Sequence, residues 1–129
     1  MRRGVDVKII LPGVTDSGLV FHAAQSFYSE MLASGIRIHQ LQITVLHAKT
    51  AVIDGVWATV GSTNIDTRSF LHNYEINAVV LGDEFGAAME DAFAEDLRHS
   101  VEITREMWEQ RPLGNRFKEW AARRLEYWL

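Results

Sequence analysis

Hydrophobic and polar positions along the chain fall into short alternating runs separated by longer helical stripes. Val5 to Leu11 (Val-Asp-Val-Lys-Ile-Ile-Leu) is rich in β-branched residues and stops at Pro12-Gly13, which predicts a strand. Val20, Ala24, Phe27, Tyr28 and Met31 recur at helical spacing. They predict a helix over about 17–34, with Asp16 or Ser17 as N-cap and Gly35 as its left-handed stop. Ile36 to Leu41 alternates and predicts a second strand. Ile43 to Ile53 predicts a third, turned back at Asp54-Gly55 into a return strand over Val56 to Val60. Gly61-Ser62-Thr63-Asn64 leaves as a tight loop, and Asn73 to Leu81 forms a further strand closed by Gly82. Phe85, Met89, Phe93, Leu97 and Val101 mark a helix from about Asp83 to Arg105. Arg111-Pro112-Leu113-Gly114 breaks it, and a last helix runs over about Asn115 to Trp128 with Phe117, Trp120, Ala121, Leu125 and Trp128 as its apolar arc. The order predicts the α/β class, a mixed β-sheet flanked by helices, in a single domain over residues 1–129.

Composition adds bounds rather than detail. At 129 residues and 47% hydrophobic content the chain can bury a core. No apolar run approaches the roughly 20 residues of a membrane-spanning helix. Without cysteine there are no disulfides and no thiolate metal sites. The net charge of −4 is unevenly spread: residues 1–82 balance, 83–110 carry nine acids against two bases, and 111–129 carry five bases against two acids. An acidic helix is thus followed by a basic, Trp-bearing one, and the absence of an extended basic stripe counts against nucleic acid as a partner. The chain opens directly on a core strand, which leads us to expect a piece of a longer protein.

The chemistry concentrates in one stretch, His47-x-Lys49-x4-Asp54-x6-Gly61-Ser62-x-Asn64. On an extended strand alternate residues share a face, so the His47 imidazole and the Lys49 ammonium are expected on one side, roughly 6.5–7 Å apart along the strand. That pair suits a phosphate ester. Lys49 can neutralise non-bridging oxygens, and His47 can attack phosphorus or move a proton. Ser62 and Asn64 can donate further hydrogen bonds to phosphoryl oxygens, and Gly61 allows close backbone approach. Asp54 belongs to the motif, although its place before Gly55 points to turn formation. Asp66 and Arg68 are expected to pair and hold the loop. His22 reads as a solvated surface residue and His39 as a strand-face residue without a chemical role. His72 and His99 lack metal-ligand spacing, so neither a catalytic metal nor a cofactor is expected.

This pattern resembles the signature of the phospholipase D superfamily, the HKD motif. More widely, the chain is similar to the carboxy-terminal half of bacterial cardiolipin synthase-like phosphatidyltransferases. The similarity runs through Arg3-Gly4-Val5-Asp6-Val7, Gly35-Ile36-Arg37-Ile38, Leu46 to Thr50, Val52 to Gly55, Val60 to Ser69 and Asn73-Tyr74-Glu75. The resemblance implies a phospholipase D-like α/β sandwich with one HKD half only, and phosphatidyl transfer between phospholipids through a phosphohistidine. It implies His47, Lys49, Asp54 and a buttressing Glu75 as the catalytic set, with His47, Lys49, Ser62 and Asn64 around the phosphate. The partners implied are a phospholipid such as phosphatidylglycerol and either a missing amino-terminal half or a second copy of the chain. The implied location is peripheral, on the cytoplasmic side of the cell membrane. Two other readings stand beside it: a homodimeric single-motif phosphodiesterase or nuclease, and an inert half-domain. The last helix is expected either to lie in a membrane interface or to pack its aromatic arc on the sheet or the missing half.

Overall fold

The computed structural model describes residues 4–15, 18–64 and 73–125. In chain order its elements are β1 (Lys8–Pro12), α1 (Gly18–Gln25), α2 (Tyr28–Ala33), β2 (Arg37–Leu41), β3 (Thr50–Ile53), β4 (Trp57–Gly61), β5 (Asn77–Leu81), α3 (Asp83–Arg98), β6 (Ser100–Ile103), α4 (Arg105–Glu109) and α5 (Leu113–Leu125). The α/β class is as expected, but the strands divide between two three-stranded sheets, β1-β2-β6 and β3-β4-β5. They belong to two compact units, Met1–Leu46 with His99–Leu129, and His47–Arg98.

In the first unit β1 runs parallel to β2, joined through α1 and α2, and β6 pairs antiparallel on the other side of β2. Tyr28, Ile38 and Trp108 form the core, with Ile9, Leu11, Met31, Leu32, Ile36 and Ile103 packed against them. The Tyr28 and Trp108 rings lie 5.0 Å apart, and both polar tips are satisfied. Trp108 Nε1 donates to Ser29 Oγ at 2.9 Å, and Gln40 Nε2 donates to the Tyr28 hydroxyl at 3.2 Å. A buried polar tip without a partner would cost about 1–3 kcal/mol, which the bond donated by Trp108 and the bond accepted by Tyr28 avoid.

Three expectations need correction here. The single helix over 17–34 is two helices, because the Ser26 hydroxyl donates back to the Ala23 carbonyl at 2.6 Å and competes with the helical ladder. The break lets α1 pack on α5 while α2 packs on β2. The stop at Gly35 is as expected: φ is +81°, with Ile36 N donating to Met31 O and Gly35 N to Leu32 O, both at 3.0 Å. Second, the helix from Asp83 ends at Arg98, and Val101 lies on β6, where Ser100-Val101-Glu102-Ile103 pairs with Leu41 to Ile38. The apolar stripe simply ran on into an alternating β-branched segment. Third, His22 is only partly exposed and its Nδ1 is buried without a hydrogen-bond partner among the described residues. The candidate caps Asp16 and Ser17, the pair Asp66 and Arg68, and His72 and Trp128 lie outside the described residues.

In the basic helix Phe117 and Trp120 point outward, one of the placements expected for them, rather than onto the sheet. The buried side of the helix is Glu119 (4% exposed) and Ala122 (1%), whereas Phe117 and Trp120 are 67% and 56% exposed. Glu119 is drawn inward by Arg111, which donates Nε and Nη2 to its carboxylate at 2.9–3.1 Å and Nη1 to the Trp108 carbonyl at 2.7 Å. The guanidinium sits 3.9 Å over the Trp108 ring. The segment read as a helix break is therefore a clasp between α4 and α5.

In the second unit β3, β4 and β5 form an antiparallel meander with α3 packed on it. Ala58 is fully buried at its centre, flanked by Val52 and Val80. Asp54 (φ +51°) and Gly55 (φ +64°) form the predicted turn, closed by Val56 N donating to Ile53 O at 3.2 Å. A Cβ at Gly86 would run into the Gly55 carbonyl, so the first turn of α3 lies directly on the hairpin turn.

Two outcomes follow for stability. Glu119→Ala leaves the Arg111 guanidinium half-buried and unpaired, and urea unfolding should show a loss of about 3–5 kcal/mol, most of it regained on adding Arg111→Met. His39 is buried on β2 with an unpartnered Nε2. Desolvation lowers its pKa from 6.5; Arg37 and Lys8 add to the lowering and Glu102 opposes it. The unfolded chain thus binds this proton first, so stability should fall as pH drops below about 6.5. His39→Leu should flatten that slope. The loss tied to Glu102, whose pKa is lowered chiefly by its hydrogen bond from Arg37, should remain at more acid pH.

Candidate active site

All the described candidates lie in the β3–β4–β5 unit. The regular strand expected from Ile43 begins only at Thr50, and residues 45–49 lead into it as irregular backbone. Ile43 and Val45 are exposed, so nothing buries the early part of that run into a ladder. The final link is nevertheless strand-like, since Gly61 N donates to the Lys49 carbonyl at 3.0 Å. The contact between His47 and Lys49 runs through the main chain rather than through strand alternation. The half-buried Lys49 side chain folds back so that Nζ donates to the His47 carbonyl at 2.6 Å. The ammonium is thereby held on the His47 main chain, and the exposed His47 imidazole makes no hydrogen bond among the described residues.

The glycine of Gly61-Ser62-x-Asn64 has a steric cause. Gly61 stands opposite Asn77 in the β4–β5 register, and a Cβ there would collide with Asn77 Oδ1 and the Ile76 carbonyl. Beyond it the loop is tied to Ile76 and Asn77 by five bonds, among them a 3.4 Å bond from Ser62 Oγ to Ile76 O. Ser62 N donates to Ile76 O at 3.0 Å, Ile76 N to Ser62 Oγ at 3.0 Å, Asn77 Nδ2 to Thr63 Oγ1 at 2.8 Å, and Thr63 N to Asn77 Oδ1 at 3.4 Å. Ser62 is therefore engaged in holding the loop, and Asn64 follows it exposed. Asn77 and Thr63 are the residues that sequence reasoning missed. The available signal was a polar amide at the start of an otherwise apolar strand.

Glu75 lies in the segment leading into β5 rather than on the strand itself, half-buried, with Oε1 accepting from Asn73 Nδ2 at 3.3 Å. Asp54 sits in the turn, four strand residues beyond Lys49, on the order of 13 Å along β3 from the start of the ladder. Its positive φ is a conformation that Asn and Asp tolerate better than most residues, which gives it a structural task in the hairpin. Among the described residues no group of three or more His, Asp or Glu side chains converges as a metal cage requires.

What the arrangement offers chemically is an accessible imidazole, a fixed ammonium and a rigid loop ending in an amide. Asn77→Ala removes two of the loop's five ties and should lower stability by about 1–2 kcal/mol. Gly61→Ala, which forces the strand ends apart, should do so by more. Amide hydrogen exchange at Ser62 and Thr63 should rise in both variants while that of α1 and α2 stays unchanged.

Comparison with known proteins finds relatives across most of the chain. Residues 1–97 match the family model described as cardiolipin synthase, PLD-like domain. Cardiolipin synthase of Listeria monocytogenes is 38% identical over 122 residues, which is 95% of this chain and 25% of that protein. The enzyme of Oceanobacillus iheyensis is 39% identical over 120 residues, and cardiolipin synthase A of Yersinia pseudotuberculosis 38% over 118. The chain thus spans about a quarter of the length of the curated relatives it matches. The crystal structure of Nuc, a phospholipase D family member from Salmonella typhimurium, superposes with a TM-score of 0.66 over 80% of this chain and 67% of that one, at 24% identity, and shares its fold. With its intact His-Lys motif, its hairpin and its glycine-gated loop, the chain belongs to the cardiolipin synthase family of phospholipase D-like domains.

Proposed function

We propose that this chain supplies one of the two HKD halves of a phosphatidyltransferase that joins phospholipids through a phosphohistidine. A complete site needs a nucleophile and a general acid on opposite sides of phosphorus. The His-Lys motif of this chain offers one imidazole, that of His47. In the first step the nucleophilic histidine of one half forms an N–P bond, the bond from phosphorus to the headgroup alcohol breaks, and the departing oxygen takes a proton from the other histidine. In the second, a hydroxyl of an acceptor such as phosphatidylglycerol returns that proton, forms its O–P bond and releases the first histidine.

His47 acts here as the general acid and then the base. Lys49 and Asn64 hold the phosphoryl oxygens, and Ser62 shapes the loop and adds a hydroxyl to it. Glu75 orients the imidazole once the other half closes the site, and Asp54 serves the motif through the turn. The chemistry needs no cofactor. Residues 1–129 form one phospholipase D-like domain in this reading, held peripherally at the cytoplasmic face of the membrane. No described helix is long and apolar enough to cross a membrane.

The observation that carries the reading is the bond from Lys49 Nζ to the main chain of the exposed His47, in a chain that spans a quarter of the length of its relatives. Reconstituted with an amino-terminal half carrying a second HKD motif, the protein should form cardiolipin from phosphatidylglycerol. His47→Ala should reduce that rate by about 10²–10⁴-fold. An unchanged rate in that variant removes His47 from the mechanism. Turnover of a nucleic-acid diester by the chain alone, as a dimer in solution, would favour the homodimeric phosphodiesterase instead.

A further inference from the structure

Helix α5 presents two unlike sides. Its inner side carries Asn115, Glu119 and Ala122, packed inward, with Glu119 neutralised by Arg111. At the 3.6-residue period, Leu113, Phe117, Trp120 and Arg124 share the opposite side. There Leu113 is 76% exposed, and the Phe117 and Trp120 rings stack at 5.9 Å in the open. Arg124 lies over the Trp120 ring at 5.3 Å.

The cations of this helix are also sorted. Arg123 is neutralised by Glu30 at 2.9 Å. Arg116, Lys118 and Arg124 pair with no carboxylate among the described residues, and all are exposed. An apolar aromatic strip therefore runs between unneutralised cations. A protein partner of ordinary composition would meet the rings but leave these charges desolvated and unpaired, at a cost. A bilayer with anionic headgroups meets both demands: rings enter the interfacial zone while the cations stay at headgroup level.

We infer that the Leu113–Phe117–Trp120 face of α5, with Arg116, Lys118 and Arg124, is a docking surface for an anionic phospholipid bilayer. The surface is made of other residues than the His47–Lys49 motif, and binding to it needs no turnover. The inference goes beyond the catalytic reading and does not depend on it.

Flotation of the full chain with vesicles of equal parts phosphatidylglycerol and phosphatidylcholine tests this, alongside vesicles of phosphatidylcholine alone. The chain should float with the anionic vesicles and release as salt rises. Phe117→Ser with Trp120→Ser should weaken binding about tenfold or more. Arg116→Glu with Arg124→Glu should do the same while leaving the rings in place, about tenfold. Both variants change exposed side chains, so their circular dichroism should match the parent. His47→Ala should float as the parent does, which keeps this outcome separate from that of the catalytic reading. Equal binding by both surface variants, equal binding to neutral vesicles, or loss of binding in His47→Ala each overturns the inference. So does a dimer that Trp120→Ser dissolves in the absence of vesicle binding, since a second copy would then own the face.

Discussion

The loop that carries the phosphate-binding candidates exists because two strand ends approach more closely than any side chain would allow. Gly61 leaves the space that Asn77 Oδ1 and the Ile76 carbonyl fill. That approach lets Ser62 and Thr63 bond to Ile76 and Asn77, and it brings the Gly61 amide onto the Lys49 carbonyl. One hydrogen atom in place of a side chain thus couples the third, fourth and fifth strands at the end where the histidine and lysine enter. Preorganisation of this kind matters for phosphoryl transfer, where charge stabilisation depends on donors that do not have to move.

The first unit solves a different problem. Its core is small, and two of its largest members, Tyr28 and Trp108, bring polar atoms inside. Gln40 and Ser29 meet those atoms, while Arg111 covers the indole face and reaches across to Glu119. Aromatic packing and a buried ion pair form one continuous arrangement. A charge pair inside a protein contributes little unless its remaining donors are met, and here the Trp108 carbonyl takes one of them.

Much of this was legible in the sequence, and the failures have physical causes. The hairpin at Asp54-Gly55 and the stop at Gly35 were readable because positive φ restricts the residue type to a few. The HKD motif was readable because its spacing is fixed. The start of the motif strand was misread, since Ile43 and Val45 look like a buried run but are exposed. The outward turn of α5 stayed one of several open placements for a related reason. Periodicity shows which residues share a face but not which face is buried, and an ion pair pulled Glu119 inward against its usual preference. Asn77 was missed because its role depends on a strand register that only coordinates reveal.

The contact of Gly86 with the Gly55 carbonyl reaches beyond local packing. A helix seated on a turn without an intervening side chain cannot drift independently of it. Enlarging one side requires the other to retreat, so substitutions at 54, 55 and 86 are tied to one another over any lineage of related chains. Residues 47–98 accordingly behave as a cassette: exchange between relatives should respect it as a block, with the hairpin and the helix that rests on it inherited together.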